Sequence, residues 1–177
     1  MVGLDKLAPY DGEGALRVIV EAPRGCGLKL KYDPKVDAFA YGRPLPLGLT
    51  YPFDFGFVPG TQADDGDPLD ALVIADVASY PGVVIPCRPI GVVLVSQKGR
   101  TGKRERNYRL VVIPSAAERL RDLIDPRSLP ARMREEIEQF FLSSTFFTQK
   151  DARVQGWRGA RHAQQLVRSS ELRAAAV

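Results

Sequence analysis

From Leu16 to Ser96 the chain is cut into short Val/Ile/Leu-rich runs by Gly and Pro, a pattern that commits this stretch to a β-rich core. Leu16 to Ala22, Leu28 to Asp33, Ala38 to Gly42, Ala71 to Ala75, Val83 to Ser96 and Tyr108 to Ile113 each read as strands. Short strands of varied length predict a small barrel. After Pro114 the signals change. Ser115 to Leu123 starts on a Ser cap with an early Glu118 and predicts a short helix that Pro126 ends. Pro130 opens a longer helix in which Met133, Ile137, Phe140 and Phe141 share one face. A last amphipathic stretch begins near Trp157 and runs through Ala160, Ala163, Leu166 and Val167 into an Arg/Ala-rich tail. No repeat, linker or low-complexity segment interrupts the chain, so a single α+β domain over 1–177 is expected.

Several function classes drop out early. The longest aliphatic runs, Val83 to Ile85 and Val92 to Val95, fall far short of the roughly 18 residues of a membrane-spanning helix. Met1 to Tyr10 lacks the positive start and apolar core of a secretory leader, so a cytoplasmic protein without membrane partners is expected. Cys26 and Cys87 stand apart, and His162 is the one histidine. That excludes a zinc site of the usual kind and any Ser-His or Cys-His chemistry not built on His162. The net charge of +4 hides an asymmetry: residues 1–90 carry 8 Lys/Arg against 12 Asp/Glu, and residues 91–177 carry 17 against 9. Such halves suit a cation beside a polyanion, or are merely uneven solubilising charge.

The string Asp64-Asp65-Gly66-Asp67-Pro68-Leu69-Asp70 leads directly into an apolar strand. Carboxylates crowded this closely repel one another and raise each other's pKa, an arrangement that a cation relieves. Gly66 permits a sharp bend, Pro68 stiffens it, and side chains at 65, 67 and 70 can then converge. Hard divalent ions take such oxygen ligands, Mg²⁺ in particular combining a few carboxylates with substrate phosphate oxygens. The blander reading is a solvated acidic turn. An EF-hand fits poorly, because Asp70 stands where the loop needs glycine and Pro68 interrupts it.

The run Asp65-Gly66-Asp67-Pro68-Leu69-Asp70-Ala71 resembles the signature of soluble family I inorganic pyrophosphatases. The likeness extends to Val18-Ile19-Val20-Glu21-Ala22-Pro23, to Tyr51-Pro52-Phe53-Asp54-Phe55-Gly56-Phe57 and to Cys87-Arg88-Pro89-Ile90-Gly91-Val92, in the same order, and covers roughly residues 16–160. The resemblance implies a five-stranded OB-like β-barrel with flanking α-helices. It also implies hydrolysis of pyrophosphate to two phosphates with Mg²⁺, or Mn²⁺ or another divalent cation, as cofactor. By the same resemblance Asp65, Asp67 and Asp70 are metal ligands, Asp67 also takes the proton of the attacking water, and Glu21 orients its neighbours. Lys29 and Arg43 match phosphate-binding cations, with Arg109 in the place of a phosphate-binding lysine. A homo-oligomer, a hexamer in bacterial relatives, is implied as well.

The sequence departs from the family pattern in one region above all. From Gln97 to Arg109, six basic residues face one acid. Gln97 and Asn107 stand where the family has aspartates, and Lys98 where it has a glutamate. Ser144 and Thr145 replace a Tyr-Lys pair, Lys31 replaces a glutamate, and Phe55 replaces a tyrosine. Neutral amides and cations there imply fewer or weaker metal sites. Lys150 or the arginines of the 98–109 segment are candidates to substitute as phosphate clamps. The main expectation is therefore a divergent, metal-dependent pyrophosphatase, with reduced activity where these ligands are replaced. The alternatives are a relative that binds a phosphate compound without hydrolysing it and, weaker, a nucleic-acid-binding barrel using the basic hairpin, which holds a single aromatic, Tyr108.

Smaller signals have plain readings. Gly99-Arg100-Thr101-Gly102-Lys103 lacks the spacing of a phosphate-binding loop and reads as a polar hairpin. Trp157 and the Met133/Phe140 stripe read as core or subunit contacts, His162 as exposed, Cys26 as a loop thiol and Cys87 as a buried strand thiol.

Overall fold

A computed structural model describes residues 3–175. The expected domain limits at residues 1, 2, 176 and 177, with the end of the Arg/Ala-rich tail, lie outside the described residues. Nine strands and two helices follow in order: β1 (Leu16–Ala22), β2 (Leu28–Asp33), β3 (Ala38–Pro44), β4 (Asp54–Val58), β5 (Leu69–Val73), β6 (Val84–Lys98), β7 (Arg104–Arg106), β8 (Arg109–Pro114), α1 (Ala131–Ser143), β9 (Arg153–Gly159) and α2 (Ala160–Ala175).

β1 pairs antiparallel with β4 on one side and β6 on the other, while β4, β5, β8 and β6 connect in series, so five strands close on themselves as an OB-like barrel. The β5–β8 pairing is parallel and the rest of the ring is antiparallel. β6 has 15 residues and serves several neighbours in turn: β1 at its start, β8 and β9 through its middle, β7 at its end. Pro89 lies where the register to β8 shifts, the kind of position a strand proline tolerates. β2 and β3 form a separate hairpin beside the ring.

The ring strands read as largely apolar runs because both of their faces are buried. In β8, Val111 and Ile113 join the cluster that α1 covers with Ile137, Phe140 and Phe141; Leu110 and Val112 join the one that α2 covers with Ala163 and Val167. β6 divides in the same way, Val93 and Val95 against Val92 and Leu94. The period-2 alternation of strands thus sorts one sequence into two packed layers.

Six expected strands are present within two residues at each end, and β4, β7 and β9 are additional. β4 has a glycine at its centre, which reads as punctuation. A Cβ at Gly56 would stand 1.9 Å from the Ile19 carbonyl oxygen, so the close β1–β4 approach requires that glycine. β7 is three polar residues held by pairing to the end of β6 and carries no apolar pattern. β9 takes Trp157 out of the expected helix, which starts at Ala160. The helix expected at Ser115 to Leu123 is only a 3₁₀ turn at Glu118–Leu120. There the Arg88 guanidinium donates to the carbonyls of Leu120 (2.5 Å), Leu123 (2.9 Å) and Arg121 (3.1 Å), acceptors that the end of a helix leaves unpaired.

The smaller expectations mostly hold. Cys87 is buried and Cys26 half-buried, Trp157 and Phe140 are core, and Lys98 to Arg104 forms the turn of the polar β6–β7 hairpin. His162 is half-buried rather than exposed, tilted against Tyr108 with ring centres 6.3 Å apart.

Candidate active site

The acidic string folds into a pinched bend before β5. The Thr61 hydroxyl donates to the Val58 carbonyl at 2.7 Å and accepts the Leu69 N–H at 3.0 Å, drawing the two ends together. Inside the bend, Gly66 adopts φ +86°, its N–H reaches the Ala63 carbonyl, and the Asp67 N–H reaches Asp65 Oδ1 at 3.2 Å. A left-handed residue is needed there and glycine provides it without strain. Leu69 is then buried as the first residue of β5, which fixes Asp70 on the barrel.

Asp65, Asp67 and Asp70 all line one cavity of about 320 Å³, into which β1 sends Glu21 and β2 sends Lys29 and Lys31. Residues two apart on a strand share a face, which is why the two lysines arrive together. Lys31 Nζ lies 2.9 and 3.0 Å from the two carboxylate oxygens of Asp67. Burial pulls the Lys31 ammonium down, but the Asp67 hydrogen bond and charge prevail and its pKa is raised. Glu21 is 8% exposed and accepts the Tyr32 N–H at 2.7 Å. Its pKa is pushed up to about 7, first by burial and then by the Asp70 charge, against the pull of that hydrogen bond, Lys29 and Lys31.

Arg109, at the start of β8, reaches the cavity from the other side. Its guanidinium pairs with Asp70 and donates to Asn107 Oδ1, and its Cζ stands 5.8 Å from the Phe55 ring centre and 5.9 Å from that of Phe141. Two aromatic faces and two oxygen acceptors hold the planar fork in one orientation. Lys150, from the loop after α1, completes the wall; its pKa is lowered by burial and then by the nearby Lys29 and Arg109 charges.

The structure thus gathers Glu21, Lys29, Asp65, Asp67, Asp70 and Arg109 around one cavity. Arg43 is not part of that wall: its guanidinium donates to the Ser144 carbonyl at 2.6 Å and to the Pro44 carbonyl at 3.2 Å. Gln97 is buried and paired in register with Glu105, likewise outside the wall, whereas Asn107 lines it. Lys98 and Arg104 of the basic hairpin both turn to Asp151, at 3.7 and 2.5 Å. Sequence reasoning missed Asp5, which enters the cavity from a 3₁₀ turn at Leu4–Lys6 and carries no motif of its own.

Three aspartates on the cavity wall offer the oxygen donors that a hard divalent cation takes. Asp65 is pushed up by burial and by the Asp70 charge, the mark of negative charge that a divalent ion would relieve. Among the described residues, however, no group of three or more Asp, Glu, His or Cys stands close enough together to hold an ion. Asp67 and Asp70 are already engaged by Lys31 and Arg109. No helix among the described residues is long and apolar enough to cross a membrane.

Comparison with known proteins agrees with this architecture. A family model described as inorganic pyrophosphatase matches residues 18–175. The inorganic pyrophosphatase of Thermus thermophilus is 35% identical over 158 residues, covering 87% of this chain and 87% of that protein. That of Synechocystis is 33% identical over 155 residues, covering 88% and 89%. A crystal structure of inorganic pyrophosphatase from Thermus thermophilus superposes with a TM-score of 0.90 at 32% identity over 98% of this chain and 99% of the other. One from Coxiella burnetii superposes at 0.85 with 27% identity, over 94% and 99%.

Proposed function

The chain belongs to the inorganic pyrophosphatase family, and from that premise we propose that the cavity between β1, β2, β5 and β8 hydrolyses pyrophosphate to two phosphates. The observation that carries the reading is the convergence of three aspartates from one bend with Lys29 and Arg109 from separate strands on a single cavity. Three carboxylates alone would repel the substrate, and the cations alone would bind it without activating water.

In this reading Lys29, Arg109 and Lys150 bind the phosphate oxygens, Lys29 and Lys150 as point charges and Arg109 as a planar fork. Arg43, anchored on Ser144, supports the loop that presents Lys150. Asp67 accepts the proton of the attacking water. As the new bond forms between water oxygen and one phosphorus, the bridging P–O bond breaks and its electron pair leaves on the second phosphate. Glu21 positions β2 by accepting the Tyr32 N–H. A divalent ion, Mg²⁺ in this reading, would be held by Asp65, with Asp70 and Asp67 as further ligands once freed from Arg109 and Lys31, and would neutralise phosphate charge and acidify water beside it.

Slow turnover is part of the proposal, since Asp67 is paired with Lys31 and Asn107 brings a neutral amide to the wall. That pairing also favours a second reading, a protein that binds a phosphate compound without hydrolysing it. Nucleic-acid binding by the basic hairpin is the weaker reading, because Lys98 and Arg104 are engaged by Asp151 and Tyr108 is the segment's single aromatic. We place the chain as one domain over 1–177, working in the cytoplasm as a homo-oligomer, hexameric by resemblance. The deciding experiment is phosphate release from pyrophosphate with millimolar Mg²⁺, Mn²⁺ or Co²⁺. Release that Asp67→Asn abolishes supports hydrolysis; calorimetric binding of pyrophosphate without release selects the second reading.

A further inference from the structure

Two of the cavity's acids are already paired with cations of the chain itself, Asp67 with Lys31 and Asp70 with Arg109. Lys31 Nζ contacts both oxygens of Asp67, at 2.9 and 3.0 Å, so it takes that carboxylate symmetrically rather than grazing one atom. The pair stands at the cavity mouth with both side chains about half exposed, 53% and 57%, within reach of an incoming ligand. Lys31 is carried by the β2–β3 hairpin, outside the closed ring, whereas Asp67 belongs to the bend before β5. The contact therefore joins two separately held elements across the opening. A divalent ion approaching Asp67 meets a positive charge already in place, and like charges in a partly desolvated site repel strongly. A polyphosphate approaching the same point meets an ammonium that can turn from Asp67 to a phosphate oxygen.

We propose that Lys31 is a built-in cation of the cavity: its ammonium occupies Asp67 in place of a metal ion, so the site takes up fewer divalent ions and meets the phosphate substrate with Lys31 directly. This rests on the phosphate-cavity reading, but its test does not depend on turnover.

Mn²⁺ alone is titrated by calorimetry into the full chain and its variants at fixed ionic strength, with phosphate and pyrophosphate absent. Lys31→Gln is expected to bind one additional Mn²⁺ or to bind Mn²⁺ at least tenfold more tightly, and Lys31→Arg to match the parent within twofold. Adding Asp67→Asn to Lys31→Gln is expected to remove the gained binding and return Mn²⁺ affinity to within twofold of the parent, because the pair is then lost without leaving a net charge. Equal number and affinity in the parent and Lys31→Gln overturns the proposal, as does a Lys31→Arg that behaves like Lys31→Gln. If Lys31→Gln fails to fold, the double variant Lys31→Gln/Asp67→Asn, which leaves no unpaired charge, decides by itself: Mn²⁺ binding within tenfold of the parent keeps the proposal and a greater loss overturns it. Phosphate release, measured separately, tests the hydrolytic reading; either result can fail while the other stands.

Discussion

Glu21 Oε1 accepts the Tyr32 N–H at 2.7 Å from a carboxyl group that is 8% exposed and shares its surroundings with Asp70. Burial comes first among the causes that push its pKa up to about 7 from an ordinary 4.5. The folded state therefore binds the proton more tightly than the unfolded chain, so stability falls as pH rises from about 4.5 to about 7. Glu21→Gln keeps the acceptor for Tyr32 and removes the titration. In metal-free protein it should gain about 2–3 kcal/mol over the parent at pH 8 and close to nothing at pH 4.5, by urea unfolding at both values. A gain equal at the two pH values would show that Glu21 does not titrate in this window.

Arg109 offers a sharper test of the phosphate wall. Lysine in its place keeps the charge but loses the fork that spans Asp70 and Asn107, and it cannot stack between Phe55 and Phe141. Charge-assisted hydrogen bonds of this kind contribute about 1.5–3 kcal/mol. Arg109→Lys should thus lower kcat/KM for pyrophosphate by about tenfold to a hundredfold, while circular dichroism shows the barrel retained. Activity within twofold of the parent would remove Arg109 from substrate binding.

How far the molecule could be read from its sequence follows from where each signal resides. The ring strands β1, β5, β6 and β8 carry largely apolar runs because packed clusters bury both of their faces, and that pattern is local. The acids of the bend were legible for the same reason, since seven adjacent residues hold the glycine, the proline and the carboxylates. β7 owes its strand character to hairpin pairing with the end of β6 rather than to any apolar pattern, β9 owes its own to pairing with β6, a partner distant in sequence, and the 3₁₀ turn at Glu118 is held by Arg88, about thirty residues earlier. Arg43 shows the same limit at the site. Its position fits a phosphate ligand, yet its contact with Ser144, 101 residues away, turns it from the cavity wall. Lys31 stood out only as a departure; that its target is Asp67 depends on how the β2–β3 hairpin lies against the bend.

Trp157, the single tryptophan, ties β9 to α1 by donating its indole N–H to Glu138 at 2.6 Å. Trp157→Phe preserves most of the apolar surface and deletes that bond, leaving Glu138 without its donor. The expected cost is about 1–2 kcal/mol, seen as a lower midpoint in urea by circular dichroism. Glu138→Gln, which still accepts from the indole, should cost less than half as much. Equal losses in the two variants would mean that the charge of Glu138, not its hydrogen bond, holds β9 to the helix.

Two glycines separate the closure of the barrel from the shape of its acidic bend. At Gly56 a methyl group would stand 1.9 Å from the Ile19 carbonyl oxygen, 2.7 Å from its carbon and 2.9 Å from Val20 Cα, all of them backbone atoms. No rotamer change relieves such a clash; β1 and β4 would have to separate, and the ring would open between them. At Gly66 the added carbon meets nothing within 4 Å, but φ is +86°, a conformation that disfavours alanine by about 1–2 kcal/mol. Gly56→Ala should therefore lose more than about 4 kcal/mol, beyond the ordinary range of single substitutions, or fail to accumulate as folded protein. Gly66→Ala should remain folded, lose about 1–2 kcal/mol, and lose proportionally more phosphate release than stability, because the bend it distorts carries Asp65 and Asp67. Urea unfolding and pyrophosphate assays on the pair measure both effects. A Gly56→Ala protein as stable as Gly66→Ala would mean that β1 and β4 do not approach as closely as the closed ring requires.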